Sequence, residues 1–299
     1  MGALSNGVRR EPVTPNARAV QLAALAVAAL IDEARLSPKP GLVDSRGSGA
    51  HHDLDLTLMQ QSALSLEPAF AAMALAGSSF GAPTVALREA LGRLGRQAEI
   101  RMLAATGGVN THRGAIWALG LLVAAASIDP RNCNAEQIAA TAGAIARHAD
   151  RHAPQFTGHK GEQACRAFNV AGARGQAQAG FPHVVGLGLP ELKRSRARGD
   201  GETSARLNAL LAIISELDDT CVLSRGGRAA LTRVQHAAAA VLDAGGAANL
   251  AGRRLLRRFV ADALESNLSP GGAADLLAAT LFLDRMANVF DARLSRQSS

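Results

Sequence analysis

An all-α fold is what this sequence predicts, and three observations carry the prediction. Alanine, the strongest helix former, is abundant, whereas aromatic residues make up 3% and tyrosine is absent. The core must therefore be Leu, Ile, Val and Ala, which lets helices approach closely. Apolar residues recur at helical spacing, beginning with Val20, Ala23, Ala24, Val27, Leu30 and Ile31. No strand-like alternation of useful length occurs, and Val184–Val185 is only a fragment. With 299 residues that are 48% hydrophobic, the chain can bury a substantial core. The expected architecture is a disordered tail over 1–18, then a single multi-helix domain over 19–294 with long glycine-rich functional loops.

Thr14–Pro15 pairs an N-cap with proline at the first helical position and opens a helix running to about Leu36, where Pro38 and Pro40 end it. The loop from Ser37 to Asp55 is long for a connection inside a domain, which points to function or disorder. A second helix carries Leu54, Leu58, Leu64 and Leu66 and is interrupted near Pro68. Pro83 opens a third, through Leu87, Leu91, Leu94 and Met102. The helix after His112 is apolar nearly all round, which places it at the centre. Asn134 and Gln137 make a capping box for the next. From Ala153 to Pro190 glycines separate short helices, and KRSRARGDGE at 193–202 reads as a charged surface loop. Helical segments follow at about 203–217, 228–244 and 246–266, and Ser269–Pro270 opens the last helix. The apolar stretches Ala19–Ile31 and Gly114–Ile128 fall short of the about 20 residues that span a bilayer.

The formal charge of +7 and pI of about 10.5 favour anionic partners. Cys133, Cys165 and Cys221 are odd in number and widely spaced, which excludes a disulfide framework or zinc pattern and fits the cytoplasm. There is no P-loop, no strand-based GxGxxG and no kinase signature, so a nucleotide would be held by helix ends, scattered cations and a metal.

The most informative stretch is GGVNTHRG at 107–114. Asn110 and Thr111 are N-cap residues, and His112 and Arg113 stand where a helix begins, so free N–H groups, a helix dipole and two cations are expected together at an anion-favouring terminus. An ordinary helix junction has the same local look. Lys39 and Arg46 in the loop before Asp55 suit phosphate, and Asp53 with Asp55 suits either Mg²⁺ or simple capping. Glu33 and Glu99 interrupt apolar helices and need a partner or a solvated face. Asp218–Asp219 and Arg225 pair acid with base across a short turn, or end a helix. Lys160 and Arg174 sit in flexible basic segments, and Ser269 precedes a glycine-rich helix start near Asp275.

SPKPGLVD (37–44), GAHHDLD (49–55), AEIRM (98–102), GVNTHRGAIWALGLL (108–122), GARGQAQAGFP (172–182) and SPGGAADLLAAT (269–280) together resemble, in order and spacing, the triphosphoribosyl-dephospho-coenzyme A synthases. The resemblance covers about Leu25 to Leu283. It implies an all-helical enzyme that transfers the triphosphoribosyl group of ATP to the 2′-hydroxyl of 3′-dephospho-CoA and releases adenine. The product would go to a phosphoribosyl-dephospho-CoA transferase acting on an apo acyl carrier protein of malonate decarboxylase or citrate lyase. The RGSGAHHDLDL wording is closer to the malonate decarboxylase branch. Gln176 stands where the family pattern has an acid, and Ala273 where it has serine.

For such chemistry the expected catalytic carboxylates are Glu33, Asp53, Glu99 and Asp219, with Asp53, Asp55 and Asp275 as Mg²⁺ ligands. Lys39, Arg46, Asn110, Thr111, His112, Arg113, Lys160, Arg174, Arg225 and Ser269 are the expected phosphate and nucleotide contacts. Which carboxylate is the base stays open at this point. Neither nucleic acid nor a membrane is an expected partner, and a homodimer is compatible with the pattern. Two rivals remain: a Mg²⁺-dependent ADP-ribosyl or N-glycosyl hydrolase, and a basic nucleic-acid-binding protein using Arg253, Arg254, Arg257 and Arg258.

Overall fold

The structure is a computed structural model that describes residues 14–129 and 131–295, with side chains as far as Asn288. Among the described residues it is all-α, the only extended pairing being an isolated bridge between Asp44 and Gly47. Residues 1–13 of the expected tail lie outside the described part. Residues 15–18 of that tail are helical: α1 runs Pro15–Arg35, with Thr14 Oγ1 accepting from Ala17 N at 3.3 Å.

The interruption expected near Pro68 divides the second helix into α2 (Leu56–Ser65) and α3 (Glu67–Phe80), because Pro68 fits the first turn of a new helix but not the interior of an old one. Read as one run, Leu56–Phe80 is long and apolar enough by length and composition to cross a membrane, which corrects the expectation that no segment is. The break at Leu66 divides it, and Phe70, Met73 and Ala74 of α3 pack into the common core. Thr84, not Pro83, caps α4 (Val85–Ala105), accepting from Leu87 N.

α5 (Arg113–Ile128) is central, as its apolar circumference predicts. It packs on α1, α3, α4 and on α6 (Ala135–Arg147), and is buried from Ala118 to Ser127. Asn134 caps α6 by accepting from Gln137 N at 3.0 Å, but its own N–H donates to Asn132 Oδ1 and not to the Gln137 side chain. The glycine-rich middle holds α7 (Lys160–Phe168), α8 (Gly172–Gln178) and a π-helical turn at Val184–Gly188, where the strand fragment was sought.

Two further elements differ from expectation. Residues 193–197 continue α9 (Leu189–Ala197), since the arginines of the supposed loop are tied into ion pairs: Arg194 and Arg198 to Glu191, Arg196 to Asp284. α10 (Glu202–Ile214) follows, and α11 (Thr220–Asp243) begins eight residues before 228, with a kink at Gly227. α12 (Leu250–Glu265) and α13 (Gly271–Ser295) are the last helices among the described residues. α13 packs on both α1 and α5, so the N-termini of α5, α11 and α13 meet beside the C-terminal end of α1.

Because α5 fills the centre, its packing should govern global stability. Leu119→Ala, at a position with no solvent exposure, is expected to lower unfolding free energy by about 2–5 kcal/mol in urea titration. A loss below about 1 kcal/mol would show that α5 is not the packing centre.

Candidate active site

α1 ends at Leu36, and the loop turns back so that Lys39 reaches the helix it has just left. Lys39 Nζ lies 2.5 Å from Glu33 Oε1 and donates to the Glu33 carbonyl at 2.6 Å; Lys39 is 2% exposed. Asp44 holds the turn by accepting from Ser37 Oγ, Lys39 N and Arg46 N, and it binds the Arg46 guanidinium at 2.7 Å. These bonds keep the Asp44 carboxyl below its ordinary proton affinity even though burial, the largest influence, pulls the other way. Two expected phosphate contacts are thus already engaged: Lys39 by Glu33, and Arg46, still half-exposed, by Asp44.

Asp219 and Asp275 complete an acidic group with Glu33. Asp219, 3% exposed, does not end a helix; it caps the N-terminus of α11, accepting from Cys221 N at 2.8 Å and Val222 N at 3.4 Å. Its other oxygen accepts from Ala273 N in the first turn of α13 at 2.9 Å. Asp275 accepts from Ala115 N in the first turn of α5. Glycine is required at position 114 because a Cβ there would collide with Asp275 Oδ2. Burial raises the proton affinity of both aspartates, and for Asp275 the neighbouring charges of Glu33 and Asp219 raise it further, well above 3.8.

His112 closes the site at the start of α5. It is 2% exposed, with Nδ1 2.8 Å from Ser62 Oγ, which in turn lies 2.5 Å from Thr111 Oγ1. Its Nε2 is buried without a hydrogen-bond partner. Burial, and secondarily Lys39, lower its pKa to about 4. His112 is therefore neutral near pH 7, which corrects the expectation of two cations at this helix terminus; Arg113 supplies the charge alone. Asn110 Oδ1 accepts from Arg113 N at 3.3 Å from outside the helix, but the N-cap position is His112, without a side-chain cap bond, so neither Asn110 nor Thr111 is the N-cap residue expected.

The remaining expected residues form a rim. Arg113 binds Glu99 Oε1 at 2.6 Å, with His159 Nε2 3.7 Å from the same oxygen, while Lys160 and Arg174 are exposed. Arg225 does not pair with Asp219. It donates to the carbonyls of Ala50 and Asn267 and stands 3.3 Å from His51 Nδ1, and His51 Nε2 lies 2.9 Å from Ser269 Oγ. Arg225 thus clips the 37–55 loop to the approach of α13. Asp53 is exposed near His51, and Asp55 caps α2 by accepting from Leu58 N at 2.7 Å. Among the described residues no three His, Cys, Asp or Glu side chains are arranged to hold a metal ion, so Asp53, Asp55 and Asp275 are not gathered into one ligand set. Ser62, which orients His112, was missed; a lone serine on the buried side of LMQQSALS was its only signal.

Chemically, the site sets a carboxylate neutralised by lysine beside an aspartic acid that readily holds a proton, with a neutral imidazole nearby. Two carboxyl groups in unlike environments can divide base and charge-stabilising duties.

The sequence matches, over residues 19–293, the family described as ATP:dephospho-CoA triphosphoribosyl transferase. It is 60% identical to a probable 2-(5''-triphosphoribosyl)-3'-dephosphocoenzyme-A synthase of Pseudomonas fluorescens, covering 90% of this chain and 92% of the relative. It is 61% identical to the protein of the same description in Stutzerimonas stutzeri, with the same coverage. It is 57% identical to the 2-(5''-triphosphoribosyl)-3'-dephosphocoenzyme-A synthase of Klebsiella pneumoniae, covering 92% of this chain and 98% of that one. No solved structure matches.

The raised proton affinity of Asp275 has a stability consequence. Below pH 3.8 the group is protonated whether folded or unfolded. As pH rises, the unfolded chain releases the proton first, so the folded state loses stability until the pH passes the folded pKa. Asp275→Asn removes this loss. The variant is expected to gain stability over the wild type as the pH rises above 3.8, until the pH passes the raised folded pKa, measured by urea titration across pH. A difference independent of pH would mean that Asp275 is not held protonated.

Proposed function

The chain belongs to the ATP:dephospho-CoA triphosphoribosyl transferase family, and on that premise we propose how its residues carry out the transfer. It is a transferase of the triphosphoribosyl-dephospho-CoA synthase type, with ATP and dephospho-CoA as substrates. The bond between ribose C1′ and adenine N9 of ATP breaks, the 2′-oxygen of 3′-dephospho-CoA bonds to C1′, and the hydroxyl proton leaves with adenine. The observation that carries the reading is the acidic group of buried Glu33 and Asp219 and partly exposed Asp275 where three helix N-termini meet. Asp275, in its ionised form, takes the 2′-hydroxyl proton, for which burial and its acidic neighbours raise its affinity, and passes it on to the departing adenine. Glu33, positioned by Lys39, faces the positive charge that develops on the ribose as adenine departs. Neutral His112 offers its free Nε2 as a hydrogen-bonding group and not as a cation. Asp219, with its oxygens occupied by backbone N–H groups, fixes α11 against α13 and shapes the field around Asp275.

Mg²⁺ is part of the proposal as a companion of the triphosphate. Mg²⁺ commonly takes one or two carboxylates and completes its shell with phosphate oxygens and water, so exposed Asp53 and Asp55 suit it without a third protein ligand. When bound it would neutralise phosphate charge. The product is proposed to serve the acyl carrier of malonate decarboxylase, on the strength of the RGSGAHHDLDL wording, within the cytoplasm where both substrates occur.

With Mg²⁺, ATP and dephospho-CoA, the purified chain is expected to release adenine and yield a triphosphoribosylated coenzyme by mass spectrometry. Adenine release that proceeds equally well without dephospho-CoA would replace the transfer with hydrolysis. Asp53→Asn and Asp55→Asn are expected to raise the Mg²⁺ concentration needed for half-maximal activity by about tenfold or more, with thermal midpoints unchanged, because asparagine caps a helix as well as aspartate does. Unaltered Mg²⁺ dependence in both variants would remove these carboxylates from the metal site.

A further inference from the structure

A second arrangement lies outside the acidic group, between α4, α5 and the turn after α6. There a cavity of about 200 Å³ is lined by Arg88, Arg96, Glu99, Arg113, Trp117 and Asp150, among others. Arg88 is 9% exposed, and its guanidinium carbon lies over the Trp117 ring, 4.8 Å from the centroid. Its Nε and Nη1 are buried without a hydrogen-bond acceptor. Asp150 Oδ2 is 3.6 Å from Nη1, beyond hydrogen-bonding reach, and is held instead by Arg96 Nη1 at 2.9 Å. The other oxygen of Asp150 accepts from His152 N. Asp150 packs closely on α4 at Gly92, where a Cβ would collide with it.

A buried donor with no acceptor is costly, so its retention calls for an acceptor that arrives from outside. The charge of the lining favours an anion: three arginines face two carboxylates, and exposed Arg174 adds its field to Arg88. We propose that this cavity receives the phosphoanhydride chain of one of the two substrates, with Arg88 as its central contact. The inference rests on the transferase reading above and adds a subsite to it. Phosphate is favoured over a nucleobase because Arg88 already covers the Trp117 face on which a base would stack. The cavity is smaller than the roughly 300–1,000 Å³ of pockets for whole ligands, as befits one portion of a nucleotide. Its location fits a chain leading to the reacting ribose. Arg113 on its wall adjoins His112 on one side and Gly114 on the other, and both of these face the acidic group.

ATP and dephospho-CoA both carry phosphoanhydrides, and kinetics can separate them. The variants are Arg88→Met, which keeps the bulk over Trp117, and the surface change Arg174→Gln. Each is assayed with one substrate varied while the other is saturating. The expected result is a KM raised by roughly ten- to a hundredfold in Arg88→Met, and by less in Arg174→Gln, for one substrate only, with kcat changed by less. The substrate affected is the one whose phosphates occupy the cavity. Inorganic tripolyphosphate and pyrophosphate serve as probes without turnover. Trp117 is the only tryptophan and there is no tyrosine, so its emission should change on binding to the wild type and not in Arg88→Met. Both KM values within about twofold of wild type in both variants would overturn the subsite, as would tryptophan emission indifferent to both anions in the wild type. If Arg88→Met fails to unfold cooperatively, Arg174→Gln and the wild-type titration decide. Should the wild type release no adenine, the transferase reading fails, whereas the anion titration still decides the subsite.

Discussion

Burying carboxylates without matching cations is the constraint on which the functional end of this molecule depends. Only one of Glu33, Asp219 and Asp275 has a side-chain cation, the Lys39 ammonium on Glu33. The other two are served by backbone N–H groups at the starts of α5, α11 and α13. Desolvating one carboxylate costs several kcal/mol, while a hydrogen bond to a charged group returns about 1.5–3 and a helix N-terminus about 0.3–1, up to about 2 where partly buried. For both aspartates burial outweighs the hydrogen bonds, so both hold protons more tightly than usual. The same incomplete balance that lowers stability leaves carboxyl groups that hold a proton more readily than ordinary carboxylates do.

Helix placement follows from that constraint. α5 must be central for its first turn to meet α13, and its apolar circumference makes it so. Gly114 removes the one side chain that would keep Asp275 away. The Asp44-anchored turn returns Lys39 to Glu33, and Arg225 ties the following residues to Asn267 just before α13. Burial also changes what the side chains are. His112 becomes a neutral hydrogen-bonding group, whereas Arg113, one residue on and partly exposed, keeps its charge and binds Glu99 at the rim. A single helix terminus thus faces an acidic interior and an arginine-lined cavity from adjacent residues.

Much of this was legible in the sequence. Helix starts marked by local chemistry, at Thr14, Asn134 and Ser269–Pro270, lie where their signals place them, because a cap needs only its neighbours within one turn. The central position of α5 was legible for a similar reason: a helix with no polar face has nowhere else to go. The ordered motifs identified the family. Elements set by distant partners were not legible. The charged run at 193–197 is helical because Glu191 and Asp284 neutralise its arginines. Asp219 reads locally as the end of one helix and is the beginning of another, held also by Ala273 from α13.

Composition, periodicity and motif order determined the all-α class, the central helix, the family and the pool of residues from which the site is drawn. Only the tertiary structure decided how those residues are used. Lys39 and Arg46 have the same charge and lie in one loop, yet one is buried against Glu33 and the other stays at the surface on Asp44. Asp55 and Asp275 are both carboxylates near helix starts, yet one caps its own helix in solvent while the other accepts from the N-terminus of a different helix. The reason is physical: residue type fixes charge and hydrogen-bonding capacity, whereas burial and the approach of segments far apart in sequence fix protonation, pairing and reach.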